Sequence, residues 1–150
     1  MQKRDKMPDE KAKESLPDAA ESLHYLNDIY SERYASVTSE IRRVVEDIED
    51  LNRASATLSN LGSLNGKGML VPAGKYMLVP AIAEPNGKVL VEVGAGFLVE
   101  KESQAAEQFI SEMVKSRSDY LNRLTAEKDK LENALLEISF KLSEQQDLHV

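Results

Sequence analysis

From Tyr30 onward the apolar residues of this chain fall at Tyr30, Tyr34, Val37, Ile41, Val44, Ile48, Leu51 and Leu58, in alternating steps of four and three, with Ser55 at the one seam position left polar. Seven residues per two turns is the spacing that keeps one narrow apolar seam on a helix, and such a seam is buried only against a second helix of the same kind. That second series exists. Ile110, Val114, Leu121, Leu124, Leu131, Leu135, Ile138 and Leu142 repeat the pattern, with Arg117 and Lys128 at two seam positions. The first helix has a start signal in "SLPD", where Ser15 can cap, Pro17 tolerates the first turn and Asp18 nearly completes a capping box. It ends at "NLGSLNGKG", where Gly62, Gly66 and Gly68 break the pattern. The second starts near Ser103, a suitable N-cap. Each helix comes to about 45 residues, roughly 65 Å, and two equal helices joined by about 40 residues can fold back antiparallel as one coiled-coil hairpin.

Composition agrees with a chain that is mostly helical arm. The 150 residues are 41% apolar and 30% charged, with 5% aromatics and no Trp, and the charge concentrates in the two heptad blocks. No run reaches the roughly 18 apolar residues of a membrane span, and "MQKRDKMPDEKAKES" lacks the apolar stretch of a secretory signal, so a cytoplasmic protein without membrane attachment is expected. With no Cys, disulfides and thiolate metal sites are excluded, and a net charge of −7 disfavours nucleic-acid binding. The expected partner is another protein.

Between the helices lies "MLVPAGKYMLVPA", Met69 to Ala81, in which MLVPA occurs twice. "KGMLVPA", "KYMLVPAIA", "KVLVEV" and "FLVEK" read as four short strands in two hairpins, punctuated by the turn sequences "EPNG" (Glu84 to Gly87) and "GAG" (Gly94 to Gly96). Pro72 and Pro80 cannot donate to a ladder and belong at edges, bulges or strand ends. Met77, Leu78, Val79, Ala81 and Ile82 run on without polar alternation, as if both faces of the strand were covered. Hairpins of about 30 residues cannot cover themselves in this way. Other subunits are therefore expected to cover them, with Leu70, Val71, Met77, Leu78, Val79, Ile82, Val89, Val91, Val93, Phe97 and Val99 forming an oligomer interface. The expected organisation is a tail at 1–14, a helix at 15–61, two β-hairpins as oligomerisation hub at 62–102 and a helix at 103–147. The fold class is α+β, mainly α.

The segment from Leu70 to Glu102, "LVPAGKYMLVPAIAEPNGKVLVEVGAGFLVEKE", flanked by heptad helices of equal length, resembles the prefoldin α subunit, with its LVP strand start and its KVLV-x-VGAG-x-x-VEK second half. It departs from the usual pattern in being less glycine-rich at its start and in an extra proline. The resemblance covers residues 15–145 and is most specific in the strands. It implies a hexamer of two α and four β subunits, so that this chain meets a second α copy and prefoldin β subunits in a double β-barrel body carrying six coiled-coil tentacles. It further implies that the assembly holds unfolded client proteins and passes them to a group II chaperonin without ATP. In that family the α class carries two hairpins and the β class one, and the four strands read here favour α.

Apolar residues that leave the seam need a separate reason. Tyr25, Leu26 and Ile29 lie beside the first seam, whose backward extension takes in Leu23, and Leu136 and Phe140 face away from the second. Tyr25 with Ile29 and Leu136 with Phe140 are i, i+4 pairs, each a contiguous patch on one helix face. A hairpin closing near residues 60 and 103 sets position 25 opposite about position 138. These residues, with the seam ends Leu23, Leu135, Ile138 and Leu142, are the expected client-binding site; the competing expectation is that they pack within the assembly.

Other chemistry is thin. "GAGFLV" has two glycines of a dinucleotide loop but no third, and a strand follows it. His24 and His149 lack partners at ligand spacing. The carboxylates Glu46, Asp47, Glu49 and Asp50, and Glu127, Asp129 and Glu132, fit solvated helix faces. Arg117 and Lys128 on the seam can set register by pairing across the hairpin, Arg117 with Glu40 or Glu46 and Lys128 with Glu32 or Asn27, or can snorkel outward. No nucleophile, metal set or phosphate loop is present, so neither an enzyme nor a cofactor is expected. The alternative to a chaperone subunit is a coiled-coil scaffold or adaptor built on a strand hub.

Overall fold

The structure, a computed structural model, describes residues 19–147. Helix α1 (Ala19–Ser59) is followed by a 3-10 turn (Leu61–Leu64), strands β1 (Gly68–Pro72), β2 (Leu78–Ile82), β3 (Lys88–Gly94) and β4 (Phe97–Glu102), and helix α2 (Ser103–Asp147). Mainly helical, with two small antiparallel hairpins between long helices, this is the fold class that the heptads and the β-branched middle call for. The capping sequence at Ser15, Pro17 and Asp18, the tail at 1–14 and His149 lie outside the described residues. The chain divides into two compact units, a central one of residues 35–130 and a terminal one in which residues 19–34 meet residues 131–147.

In the central unit the helix seams carry the core. Val37 and Ala106 are fully buried, and Val44, Ile110 and Leu124 nearly so, all on seam positions or one turn from them. The residues between them on the same stripe, Ile41, Ile48, Leu51, Ser55 and Leu58, are half-buried, as expected of a seam that faces a single partner helix. Cross-helix contacts give the direction. Ser59 Oγ donates to Glu107 Oε1 at 3.4 Å, Arg117 Nε meets Asp47 Oδ2 at 3.4 Å, and the Tyr120 hydroxyl donates to Glu40 Oε1. As the partners advance along α2 from residue 107 to 120 they retreat along α1 from 59 to 40, so the helices are antiparallel.

Two of these contacts correct the expected pairing. Arg117 reaches Asp47 rather than Glu40 or Glu46. Its side chain leaves the seam and is well exposed, which brings the guanidinium to the flanking acid, while Glu40 is taken by Tyr120. Helix α1 also stops at Ser59, two residues short of the expected end. The Asn60 side chain donates to the Ala56 carbonyl, and the chain tightens into the 3-10 turn, a common way to use the last carbonyls of a helix.

The hairpins are separate two-stranded sheets, β1 with β2 and β3 with β4. Residues Gly68 to Pro72 pair with Ile82 to Leu78 in reverse, and Lys88 to Glu92 with Glu102 to Leu98. "EPNG" joins the hairpins. Gly87 there has φ +83°, open to glycine at no cost, and the Asn86 side chain accepts the Lys88 N–H at 3.1 Å. Ser103 does not act as a free cap: both its N–H and its hydroxyl donate to the Gly87 carbonyl at 2.8 Å, fastening the start of α2 to this turn.

The β3–β4 loop is Ala95–Gly96, with φ of +51° and +77°, and a bulge precedes it at Gly94. Two positive φ angles are the type I′ arrangement that suits a tight hairpin, and Ala95 carries a Cβ in a region that Asn or Gly occupies more cheaply. Ala95→Asn is expected to stabilise the protein by about 0.5–1 kcal/mol, measured by urea denaturation at fixed protein concentration. Destabilisation would show that this loop is shaped by something other than its own backbone.

Candidate functional site

Two apolar surfaces lie open among the described residues. The first belongs to the hairpins. In β1 and β2, Met69, Val71, Val79 and Ala81 share one face, and Leu70, Leu78 and Ile82 share the other with Pro72 and Pro80, because side chains alternate along each strand. Every one of these large side chains is exposed. A sheet with one polar face can stand in water, but this one is apolar on both. A lone hairpin is marginally stable at best, and each large apolar side chain gains about 1.5–3 kcal/mol on full burial.

The second hairpin is different. Val89, Val91 and Lys101 are half-buried, and the Lys101 ammonium lies 5.4 Å from the Phe109 ring centroid, so this face turns toward α2. Its other face carries Leu90 and Leu98, both more than 60% exposed, between Lys88, Glu92 and Glu100. Lys88 Nζ is 2.9 Å from Glu100 Oε1. Beside β3 runs a groove of about 810 Å³ lined by Val89 to Gly94 and by Leu51, Leu58, Phe109, Ile110 and Met113 of the helices.

Of the residues expected at an oligomer interface, Leu70, Val71, Met77, Leu78, Val79, Ile82, Val93, Phe97 and Val99 are exposed, whereas Val89 and Val91 are half-buried within the chain itself. Met69, Leu90, Leu98 and Tyr76 were not among the expected residues and are exposed too. The signal for Leu90 and Leu98 was in the alternation of "KVLVEV" and "FLVEK": both are out of phase with the valines, hence on the opposite face. Tyr76, the most exposed of all, sits in the β1–β2 loop with the Lys75 ammonium 5.3 Å from its ring.

The second surface is in the terminal unit. Tyr25 is 67% exposed and Phe140 71%, and Leu26, Ile29 and Leu136 are also open. Leu23, Leu135 and Leu142 are half-buried along the seam, and Ile138 is buried at 6%. Ile138 thus belongs to the packing between the helices, leaving Tyr25, Leu26, Ile29, Leu136 and Phe140 as the open apolar set. His24 beside them is exposed.

The Prefoldin subunit family model matches residues 30–147, which take in α1 from Tyr30 onward, all four strands and α2. The chain belongs to the prefoldin family, as an alpha-type subunit. Prefoldin subunit alpha of Thermofilum pendens is 30% identical over 128 residues, 77% of this chain and 98% of that one. Prefoldin subunit alpha 2 of Methanocaldococcus jannaschii is 31% identical over 116 residues, covering 77% and 74%. The probable prefoldin subunit 5 of Dictyostelium discoideum is 30% identical over 95 residues, and the match spans 59% of each chain. Among solved structures, a chain of the filamentous PFD from M. jannaschii aligns with a TM-score of 0.52 at 28% identity, over 82% of this chain and 97% of that one. Prefoldin membership supports the role of a chaperone subunit that assembles with other prefoldin subunits. Among the described residues no group of three or more His, Asp or Glu side chains is arranged to hold a metal ion, and no helix is long and apolar enough to cross a membrane.

Arg117 and Asp47 are both about half exposed, so their attraction is screened by water and contributes little. Arg117→Ala is expected to change unfolding free energy by less than about 1 kcal/mol, with the difference shrinking further in high salt. A loss several times larger in thermal or urea unfolding would mean that the pair sets the helix register.

Proposed function

We propose that this chain works in the cytoplasm as one of two α subunits in a hexamer with four prefoldin β subunits, holding non-native proteins and passing them to a group II chaperonin without nucleotide. The observation that carries the reading is the set of Tyr25, Leu26, Ile29, Leu136 and Phe140, exposed and off the helix seam. Unfolded chains share no sequence, so a surface that holds many of them must rely on nondirectional apolar burial, at about 25 cal/mol per Å² removed from water. Several aromatic and branched side chains on neighbouring turns supply such area with no demand for a matching partner shape. Antiparallel pairing of residues 19–34 with residues 131–147 inside the terminal unit would set Tyr25 about level with Ile138, and the two i, i+4 pairs would then form one patch.

The hub half of the reading rests on the first hairpin, apolar on both faces. Barrels remove the open faces and edges of small sheets, and pooling hairpins from several subunits achieves this when one chain has too few strands. A filamentous assembly is the second reading, favoured by likeness to a chain of a filamentous relative. A scaffold or adaptor built on a strand hub is less well supported, because the exposed terminal patch has no use in it.

Replacing Tyr25, Ile29, Leu136 and Phe140 together by Ser is expected to leave assembly unchanged by native mass spectrometry while aggregation suppression of a denatured test protein falls at least fivefold. Full suppression by an assembled variant would remove the patch from the account.

A further inference from the structure

Two asparagines of this chain precede a glycine, Asn65 before Gly66 and Asn86 before Gly87. Such a pair carries its own chemistry. The backbone nitrogen of the glycine can attack the asparagine side-chain amide, because the glycine has no Cβ to obstruct the approach and its backbone bends freely. Both pairs are exposed, both glycines have positive φ (+72° and +83°), and no atom lies within 4 Å of where a Cβ on either would stand. Water and hydroxide therefore reach both.

Hydrogen bonding separates the two sites. The attacking nitrogen must first lose its proton. The Gly66 N–H donates to the Ala83 carbonyl at 2.9 Å, so attack on Asn65 first costs that bond. The Gly87 N–H has no acceptor among the described residues. The amides under attack differ as well. Asn86 Oδ1 accepts the Lys88 N–H at 3.1 Å, which folds the side chain back over the Gly87 peptide and sets a donor on the oxygen where negative charge develops.

We propose that Asn86 is a site of spontaneous covalent modification, at which loss of the side-chain amide reroutes the backbone through isoaspartate and releases the second hairpin from α2. Hydroxide takes the Gly87 amide proton and the nitrogen bonds to Asn86 Cγ, moving an electron pair onto Oδ1. Collapse of this oxyanion breaks the Cγ–Nδ2 bond, and the leaving nitrogen takes a proton from water and departs as ammonia, regenerating hydroxide. A cyclic imide remains. Water opens it at Cγ to give aspartate, or at the main-chain carbonyl carbon to give isoaspartate. One water enters and one ammonia leaves, with no change of oxidation state.

The two products act differently on the fold. Both add a negative charge near the start of α2, where the helix dipole favours one. Only isoaspartate adds an atom to the backbone between residues 86 and 87. The Ser103 N–H and hydroxyl both end on the Gly87 carbonyl at 2.8 Å. A displacement of one bond length, about 1.5 Å, takes that carbonyl beyond hydrogen-bond reach of both donors. The turn then no longer fastens β3 to α2. This chemistry goes beyond the chaperone reading and does not rest on it.

The test is ageing of the full-length chain in mildly alkaline buffer, with each site followed by peptide mass spectrometry and isoaspartate identified by enzymatic methylation of its free α-carboxylate. In the folded chain Asn86 is expected to convert about tenfold faster than Asn65. In concentrated urea, where neither hydrogen bond persists, the two rates are expected to agree within about twofold. Amide hydrogen exchange reads the consequence. The Ser103 amide is expected to exchange at least about tenfold faster in the isoaspartate form than in the parent, and at the parental rate in freshly prepared Asn86→Asp, which carries the charge without the extra atom. Conversion of Asn65 as fast as Asn86 in the folded chain would overturn the assignment of the site. An unchanged Ser103 amide in the isoaspartate form, or one equally fast in Asn86→Asp, would overturn the release of the hairpin by the inserted atom.

Discussion

A β-hairpin has two faces and two edges, and a chain of this size has little with which to cover them. In this protein the constraint is acute because β1 and β2 are apolar on both faces, with Leu70, Leu78 and Ile82 on one and Met69, Val71 and Val79 on the other. The helices do not relieve it. Their seams are consumed by each other, through Val37, Val44, Ala106, Ile110 and Leu124 in the central unit and Ile138 in the terminal one. Membership in an assembling family supports the resolution proposed above, in which the hairpin faces would become interior if several chains pool their strands.

The proline positions show how an exposed sheet can be restricted in what it joins. Pro72 and Pro80 sit where their missing N–H groups would have faced outward, so they cost the chain no internal ladder bond while interrupting both edges of the more apolar hairpin. Faces can then be buried by other subunits without indiscriminate strand addition. The second hairpin keeps its donors and carries charge instead, Lys88 and Glu92 on β3 and Glu100 and Glu102 on β4, a different device with the same end. Ser103 fixes this hairpin to α2 through the Gly87 carbonyl, so that its orientation is not left to the loop.

Much of this was legible in the sequence, for particular reasons. The heptads gave the helices because a period of seven recurs over many turns, and the four strands followed from β-branched runs between glycine turns. The open residues Tyr25, Ile29, Leu136 and Phe140 were legible as departures from the seam. What escaped was geometry set by single side chains. Arg117 was expected on Glu40 or Glu46, but a long side chain leaving the seam chooses among acids one turn apart by its rotamer. Ile138 and Phe140 are both apolar residues near one helix end, and only the packing separates the buried one from the open one. Leu90 and Leu98 were passed over because the valines beside them drew the strand's apolar character to a single face. Edge parity, on which the placing of both prolines and of the outward amides depends, requires at least one observed hydrogen bond, such as that from the Ala73 N–H to Met77.

The account's central claim is that the strands become interior on assembly, and amide hydrogen exchange on the complex recovered from its own cells tests it most directly. The outward-facing amides of Leu70, Leu78, Ile82, Leu90 and Leu98 have no partner strand among the described residues. They are predicted to exchange at least about a hundredfold more slowly in the assembled complex than in the dissociated subunit, while exposed helix-terminal amides change little. Equal exchange of these strand amides in both states would contradict the account, and would mean that the hairpins stay open to water and that assembly is carried by the helices.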